Sequence, residues 1–283
     1  MSKLKLFDVQ RSSFVDGPGV RTTVFFRGCN LKCKWCHNPE SQSGEKRVLF
    51  YKEKCLSCGR CNAVCPEKAI AYGVVDYSKC TFCGKCSAVC SATALRLCGF
   101  DADEDEVLSK IMADRLFYGT DGGATFSGGE CMLYPDEVAS LARKCKQAGI
   151  SVAVDTAGCV PWSSFACVLP YVDLFLYDIK TLNEEKHKRY VGCDNALIIE
   201  NLKKLLSCGK RVIIRVPVIP GVNDEEEDML AIKRLLAPYK DVRVELLPYH
   251  KMGENKYAAL GIKAHSFPVP DLESMKKLKD VFN

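Results

Sequence analysis

The sequence predicts an α/β protein: an open, partial (β/α)6 barrel interrupted by a small cysteine-rich insert. Strand-like and helix-like patterns alternate through the second half and more of the chain, as parallel βα units require. Six such strands can be counted, too few to close an eight-stranded barrel. Between Arg47 and Gly99 the apolar periodicity gives way to eight regularly spaced cysteines, with little apolar material for a core. The expected boundaries are a barrel of residues 1–46 and 100–283 and an insert of residues 47–99.

The first barrel strand is Thr22–Arg27, TTVFFR, a β-branched and aromatic run after the turn-forming DGPG. It delivers the chain to GCNLKCKWCHN, Gly28–Asn38, where Cys29, Cys33 and Cys36 are spaced C-x3-C-x2-C. Three thiolates so close together suit a [4Fe-4S] cluster and leave one iron without a protein ligand. An open metal position is where a substrate can bind. The alternative, a zinc site, is disfavoured because zinc knuckles pair C-x2-C runs with a histidine at a spacing that His37 does not meet.

The insert carries CLSCGRCNAVCP, Cys55–Pro66, and CTFCGKCSAVCS, Cys80–Ser91, starting 25 residues apart. Both follow the C-x2-C-x2-C-x3-C pattern of bacterial two-cluster ferredoxins, in which the fourth cysteine of each run crosses to the other cluster. The expected ligand sets are therefore Cys55, Cys58, Cys61 and Cys90, and Cys80, Cys83, Cys86 and Cys65. Ser91 stands where the pattern has proline. Two clusters would supply folding free energy that so small a core cannot.

Beyond the insert a helix is expected over Asp103–Tyr118, with acids in its first turn. Strands follow near Ala124–Ser127, Ser151–Asp155, Leu174–Asp178, Val212–Val218 and Arg243–Leu247. Helices between them include Pro135–Ala148 and Ala196–Ser207, and the last amphipathic segment is Asp271–Phe282. Polar residues recur where these apolar strands end. They are SGGE (Ser127, Gly128, Gly129, Glu130), DTAG (Asp155, Thr156), YDIK (Asp178, Lys180), Arg215 in RVPVIPG, and His250 in LPYH. The glycines would let backbone approach a ligand, and Glu130 can accept from an ammonium. Such a series at the C-terminal ends of barrel strands points to a polar ligand.

The totals narrow the class. The chain has 283 residues, 47% hydrophobic and 27% charged, ordinary for a globular protein. No apolar run approaches the length of a membrane span, and MSKLKLFDVQ lacks the features of a signal peptide, so a cytoplasmic protein is expected. Eighteen cysteines in a reducing compartment mean metal rather than cross-links. The formal charge of +5 calls for no nucleic acid, because three oxidised clusters with eleven thiolates carry about −5. Seven cysteines are left over: Cys98, Cys131, Cys145, Cys159, Cys167, Cys193 and Cys208. They are expected to pack as small hydrophobes, with Cys131, beside Glu130, the one to watch. His187 and His265 are assigned nothing.

The segment VDGPGVRTTVFFRGCNLKCKWCHNPESQ, Val15–Gln42, resembles the signature of radical S-adenosylmethionine enzymes, specifically the activating enzymes of glycyl radical enzymes. The match includes DGPG-x-R and HN as well as the cysteines. The resemblance implies that Cys29, Cys33 and Cys36 hold the catalytic cluster, and that S-adenosylmethionine fills the open iron. It implies that Gly129 and Glu130 of SGGE meet the methionine amino group, with Trp35 near the nucleotide. Asp155, Thr156 and Asp178 fall near the ribose and a monovalent cation, Lys180 and Arg215 near a carboxylate or ribose, and His250 near the reacting end. The implied reaction is abstraction of hydrogen from a glycine of a partner enzyme, with flavodoxin or ferredoxin as electron donor and a monomeric activator. The insert resembles that of activators for glycerol, choline, hydroxyproline and arylacetate enzymes. Two other classes are weighed: a radical enzyme acting directly on a small molecule or peptide, which DGPG-x-R and the insert's position disfavour, and a three-cluster electron-transfer protein, which would not need SGGE.

Overall fold

The apolar runs read as strands lie side by side in one sheet. A computed structural model describes residues 3–282. In chain order its elements begin with β1 (Leu4–Ser13) and β2 (Arg21–Phe26). The cysteine-rich region contributes β3 (Arg47–Phe50), α1 (Arg60–Val64), β4 (Ile70–Ala71), β5 (Val74–Val75), α2 (Lys85–Ala88) and β6 (Leu95–Cys98). There follow β7 (Phe100–Ala102), α3 (Glu104–Ala113), β8 (Gly123–Gly128), α4 (Pro135–Gln147), β9 (Ser151–Thr156), α5 (Trp162–Val168) and β10 (Leu174–Asp178). The chain continues with α6 (Glu184–Val191), α7 (Ala196–Ser207), β11 (Arg211–Val218), α8 (Glu226–Leu236), β12 (Arg243–Pro248), α9 (Glu254–Ala259) and α10 (Leu272–Asp280).

The large sheet runs β12-β11-β10-β9-β8-β2-β1-β7. The six strands from β2 to β12 are parallel, as the six βα units require. The sheet nevertheless has eight strands, because β1 and β7 add an antiparallel edge. Neither announced itself: β1 is largely exposed on alternate and successive positions, and β7 is three residues long. The cysteine-rich region hangs from this edge through the antiparallel β3–β6 pair, which opens at Arg47↔Cys98.

Period-two alternation divides the parallel strands into two faces. Val24, Phe126, Val154, Phe175, Tyr177 and Ile214 pack under helices in the main core. The other face carries a small apolar cluster, Ala153, Leu174, Leu176 and Ile213. Two residues farther along the same strands come Asp155, Asp178 and Arg215, so the polar strand ends lie on the face the helices leave uncovered.

The helix expected to reach Tyr118 stops at Ala113. Asp114 leaves it because its buried carboxylate accepts from Arg11 Nε (2.9 Å) and from Thr22 Oγ1 (2.7 Å), tying the turn to β1 and β2. Leu116 and Phe117 beyond it are exposed. Among the described residues no helix is long and apolar enough to cross a membrane.

DGPG-x-R closes the opposite, N-terminal end of the strands. Asp16 Oδ2 accepts from Ser13 Oγ (2.6 Å) and Thr23 Oγ1 (2.9 Å). Arg21, wholly buried, donates Nε to Thr125 Oγ1 (2.6 Å) and its terminal nitrogens to the carbonyls of Asp121 (3.0 Å) and Ala124 (2.8 Å). Burial pushes its guanidinium down to about 10. Truncating it leaves several buried acceptors unsatisfied, so Arg21→Ala should lose about 3 kcal/mol or more in anaerobic denaturant unfolding. A loss below about 1 kcal/mol would mean that this plug is not structural.

Candidate active site at the strand ends

The loop after β2 is gripped through its backbone. Gly28 turns the chain at φ +91°, and its N–H donates to Ser41 O (2.7 Å). Lys32 and Lys34 N–H donate to Val191 O (2.8 Å) and Tyr190 O (2.9 Å) at the end of α6. Trp35 is 9% exposed and is packed with Leu31, Val191, Ile219, Val222 and Tyr249, its ring 6.1 Å from Phe267 and 6.4 Å from Tyr190. Its aromatic bulk thus wedges the cysteine loop against the end of α6 and the segments after β11 and β12. Burial pushes the Cys33 thiol up to about 12, and the Cys29 and Cys36 thiols rise as well. Such thiols give up their protons to a metal rather than to water.

Around this loop the strand ends form two linked groups. Asp155 Oδ2 accepts from Ser127 Oγ (2.7 Å) and pairs with Arg215 (3.3 Å). Lys180 Nζ donates to Asp178 Oδ2 (2.6 Å). Burial would depress Lys180, but Asp178, the Cys33 thiol and Asp155 hold it above its ordinary value, which puts the ammonium within electrostatic reach of the cysteine loop. Asp155 Oδ1 and Arg215 Nε are buried with no partner. Buried polar atoms are nearly always satisfied, so these two, like five others among the described residues, keep unused hydrogen-bonding capacity.

The SGGE glycines are closely packed. A Cβ on Gly129 would lie 2.2 Å from Gly28 O, and one on Gly128 would lie 2.3 Å from Phe26 N and O. The neighbouring strand and the cysteine loop by themselves already require both glycines. Glu130 is 1% exposed and accepts from Thr156 Oγ1 (2.8 Å), Ala157 N (3.0 Å) and Met132 N (3.1 Å). It clamps the end of β8 to the end of β9, with one lone-pair direction left over. Cys131 is buried, its thiol donating to Phe126 O (3.4 Å) and Asp155 O (3.6 Å), a packing role. His250 is exposed and stands edge-on to His37 with ring centroids 4.7 Å apart.

Two contributors had no readable signal in the sequence. Buried Asn223 donates to Lys180 O and Pro217 O and accepts from Ile219 N, each at 2.7 Å, joining the ends of β10 and β11. Tyr257 on α9 is buried with an unpartnered hydroxyl, and the Cys36 and Cys33 thiols raise its pKa further after burial has done so.

The two cysteine runs repeat each other in backbone as in sequence. Left-handed residues recur 25 positions apart at Ser57 and Phe82, Gly59 and Gly84, and Lys68 and Thr93. Ser57 N and Phe82 N donate to Cys55 Sγ and Cys80 Sγ at 3.4 Å, and Leu31 N does the same to Cys29 Sγ. One cavity is lined by Cys55, Cys58, Cys61 and Cys90, the other by Cys65, Cys80, Cys83 and Cys86. Cys90 of the second run thus lines the cavity of the first, and Cys65 of the first lines that of the second.

Burial pushes the Glu130 carboxyl up to about 7, against the three donors that favour its ionised form. In the unfolded chain it ionises near 4.5, so this group's contribution to stability is full below that value and fades as pH rises toward 7. The loss is on the order of 3 kcal/mol. Glu130→Gln should flatten the pH dependence of stability of the ligand-free protein over that range in denaturant unfolding; an unchanged slope would remove Glu130 as its source.

Three profiles match the chain: the Radical SAM superfamily over residues 77–232, a 4Fe-4S single cluster domain over residues 15–64, and a 4Fe-4S dicluster domain over residues 47–91. The choline trimethylamine-lyase activating enzyme of Oleidesulfovibrio alaskensis is 42% identical over 92% of this chain and 87% of its own. The trans-4-hydroxy-L-proline dehydratase activating enzyme of Clostridioides difficile is 42% identical over 98% and 95%. The benzylsuccinate synthase activating enzyme of Thauera aromatica is 40% identical over 90% and 81%. Among solved structures, Streptococcus suis SuiB bound to its precursor peptide SuiA shares the fold, with a TM-score of 0.56 at 13% identity over 90% of this chain and 43% of that one. The chain belongs to the radical SAM superfamily, among the activating enzymes of glycyl radical enzymes.

Proposed function

We propose that the chain activates a partner glycyl radical enzyme, using the strand-end site to bind S-adenosylmethionine at a [4Fe-4S] cluster held by Cys29, Cys33 and Cys36. When bound, the cluster and S-adenosylmethionine supply reductive cleavage to methionine and a 5'-deoxyadenosyl radical, which takes hydrogen from a backbone glycine of the partner. The observation that carries this reading is the three-cysteine loop, one ligand short of a closed site, facing a strand-end network with two unpartnered buried atoms, Asp155 Oδ1 and Arg215 Nε.

The remaining residues divide by what their atoms offer. Glu130, with one acceptor direction free, and the Gly129 backbone serve the methionine ammonium. Lys180 and Arg215 serve the carboxylate or ribose. Asp155, Thr156 and Asp178 offer oxygens to the ribose or a monovalent cation. Trp35 holds the loop, and His250 with His37 edges the mouth. None of these groups needs to move a proton for hydrogen-atom abstraction, so all act as binders.

Residues 47–99 are read as a ferredoxin-like insert, with residues 1–46 and 100–283 as the barrel. The two cavities, each lined by four cysteines, support two further [4Fe-4S] clusters with crossed ligands. Cys58 and Cys83 are exposed, which suits electron entry from a flavodoxin or ferredoxin. A reducing cytoplasm fits so many thiolate ligands, and the chain is read as a monomer there.

Anaerobic reconstitution should give about twelve irons per chain, three clusters of four, and reductive formation of 5'-deoxyadenosine. Cys33→Ala should abolish that product while Cys58→Ala retains it; product surviving in Cys33→Ala would sink the assignment. Because the three relatives activate different enzymes, the decisive mixture offers several glycyl radical enzymes and looks for the glycyl radical by electron paramagnetic resonance. Deoxyadenosine formed without a glycyl radical in any of them would favour direct action on a small molecule or peptide.

A further inference from the structure

Two cysteines outside all three motifs face each other beside the cysteine loop. Cys159 follows the Asp155–Gly158 turn after β9, and Cys193 follows α6; their sulfurs are 3.9 Å apart and both side chains are partly accessible. A disulfide needs closure to about 2.05 Å, which is the scale of a side-chain rotation. The backbones are already fixed. Asn201 Nδ2 donates to Gly158 O and to Val160 O, both at 2.8 Å, holding Cys159 from either side. The Cys193 carbonyl is bonded to His187 Nδ1 at 2.7 Å. Asn201 and His187 are wholly buried, so the two cysteines sit on a backbone held by buried side chains.

We propose that Cys159 and Cys193 form a dithiol–disulfide site that reacts with low-molecular-weight disulfides. One thiolate attacks the external disulfide and releases a thiolate; the second attacks the mixed disulfide and releases another. The protein gives up two electrons and two protons, and the external disulfide becomes two thiols. Burial raises both thiols, which keeps the thiolate fraction small near neutral pH, so the exchange is slow and speeds up as pH rises. The bridge would join two segments that grip the cysteine loop: Val191 O receives Lys32 N–H, and Cys159 O receives the Asn30 side chain.

The test treats the anaerobic holoprotein with oxidised glutathione, quenches in acid, alkylates free thiols and maps peptides by mass spectrometry. The expected product is a Cys159–Cys193 cross-linked peptide two hydrogens lighter than the sum of its parts, reversed by dithiothreitol, while exposed Cys208 becomes a mixed disulfide. Cys159→Ser should lose the cross-link yet keep its iron content, which shows that it is folded. Free Cys159 and Cys193 alongside modified Cys208, or glutathione on both without a cross-link, would overturn the proposal. The wild-type result stands whether or not the variant folds.

Discussion

The rest of the site depends on one close backbone approach, that of SGGE to the cysteine loop. Glu130 N donates to Gly28 O at 2.8 Å and Gly129 N to Phe26 O at 2.9 Å, and no side chain fits at Gly128 or Gly129. This contact fixes where the loop leaves β2 relative to β8. Glu130 then carries the constraint to β9 through Thr156 and Ala157. The three thiols therefore sit in a frame set by main-chain atoms, which vary less than side-chain rotamers.

The sheet explains why charge collects on one side of that frame. With helices covering one face, the apolar residues of β8 to β11 alternate into the main core, and the opposite face needs filling only near its base. Its small apolar cluster ends where Asp155, Asp178 and Arg215 begin. Two carboxylates and two cations partner one another, and Asp155 Oδ1 and Arg215 Nε are left unpaired. A charge network left incomplete in a buried place is costly, and a ligand is what would complete it.

The cysteine-rich region obeys a different rule. Its apolar core buries only Val48, Ile70 and Leu95, with Phe50, Val75, Phe82, Leu97 and cysteines partly buried around them, too small for independent stability. Its order comes from repetition: the same left-handed turns and the same amide-to-sulfur bonds occur twice, 25 residues apart. The β3–β6 pair and Gly99, where a Cβ would strike the Arg27 side chain at 2.7 Å, join this region to the sheet edge close to the cysteine loop.

Much of this was legible in one dimension because spacing is itself chemistry. Cysteine intervals fix which thiols can reach one cluster, β-branched runs fix the parallel strands, and polar residues ending those runs name the site face. Leu174–Asp178 and Ala196–Ser207 are elements whose limits the residues alone specify. What the sequence could not carry were decisions made by distant partners. Asp114 ends a helix because Arg11 and Thr22 hold it, β1 and β7 become strands because they pair, and Asn223 matters because three backbone groups converge on it. Likewise Gly128 and Gly129 are glycines for the sake of Phe26 and Gly28, about a hundred residues upstream. Local pattern specifies an element, but only tertiary contact specifies what a buried polar or glycine residue is paired with, since that depends on where the rest of the chain has come to lie.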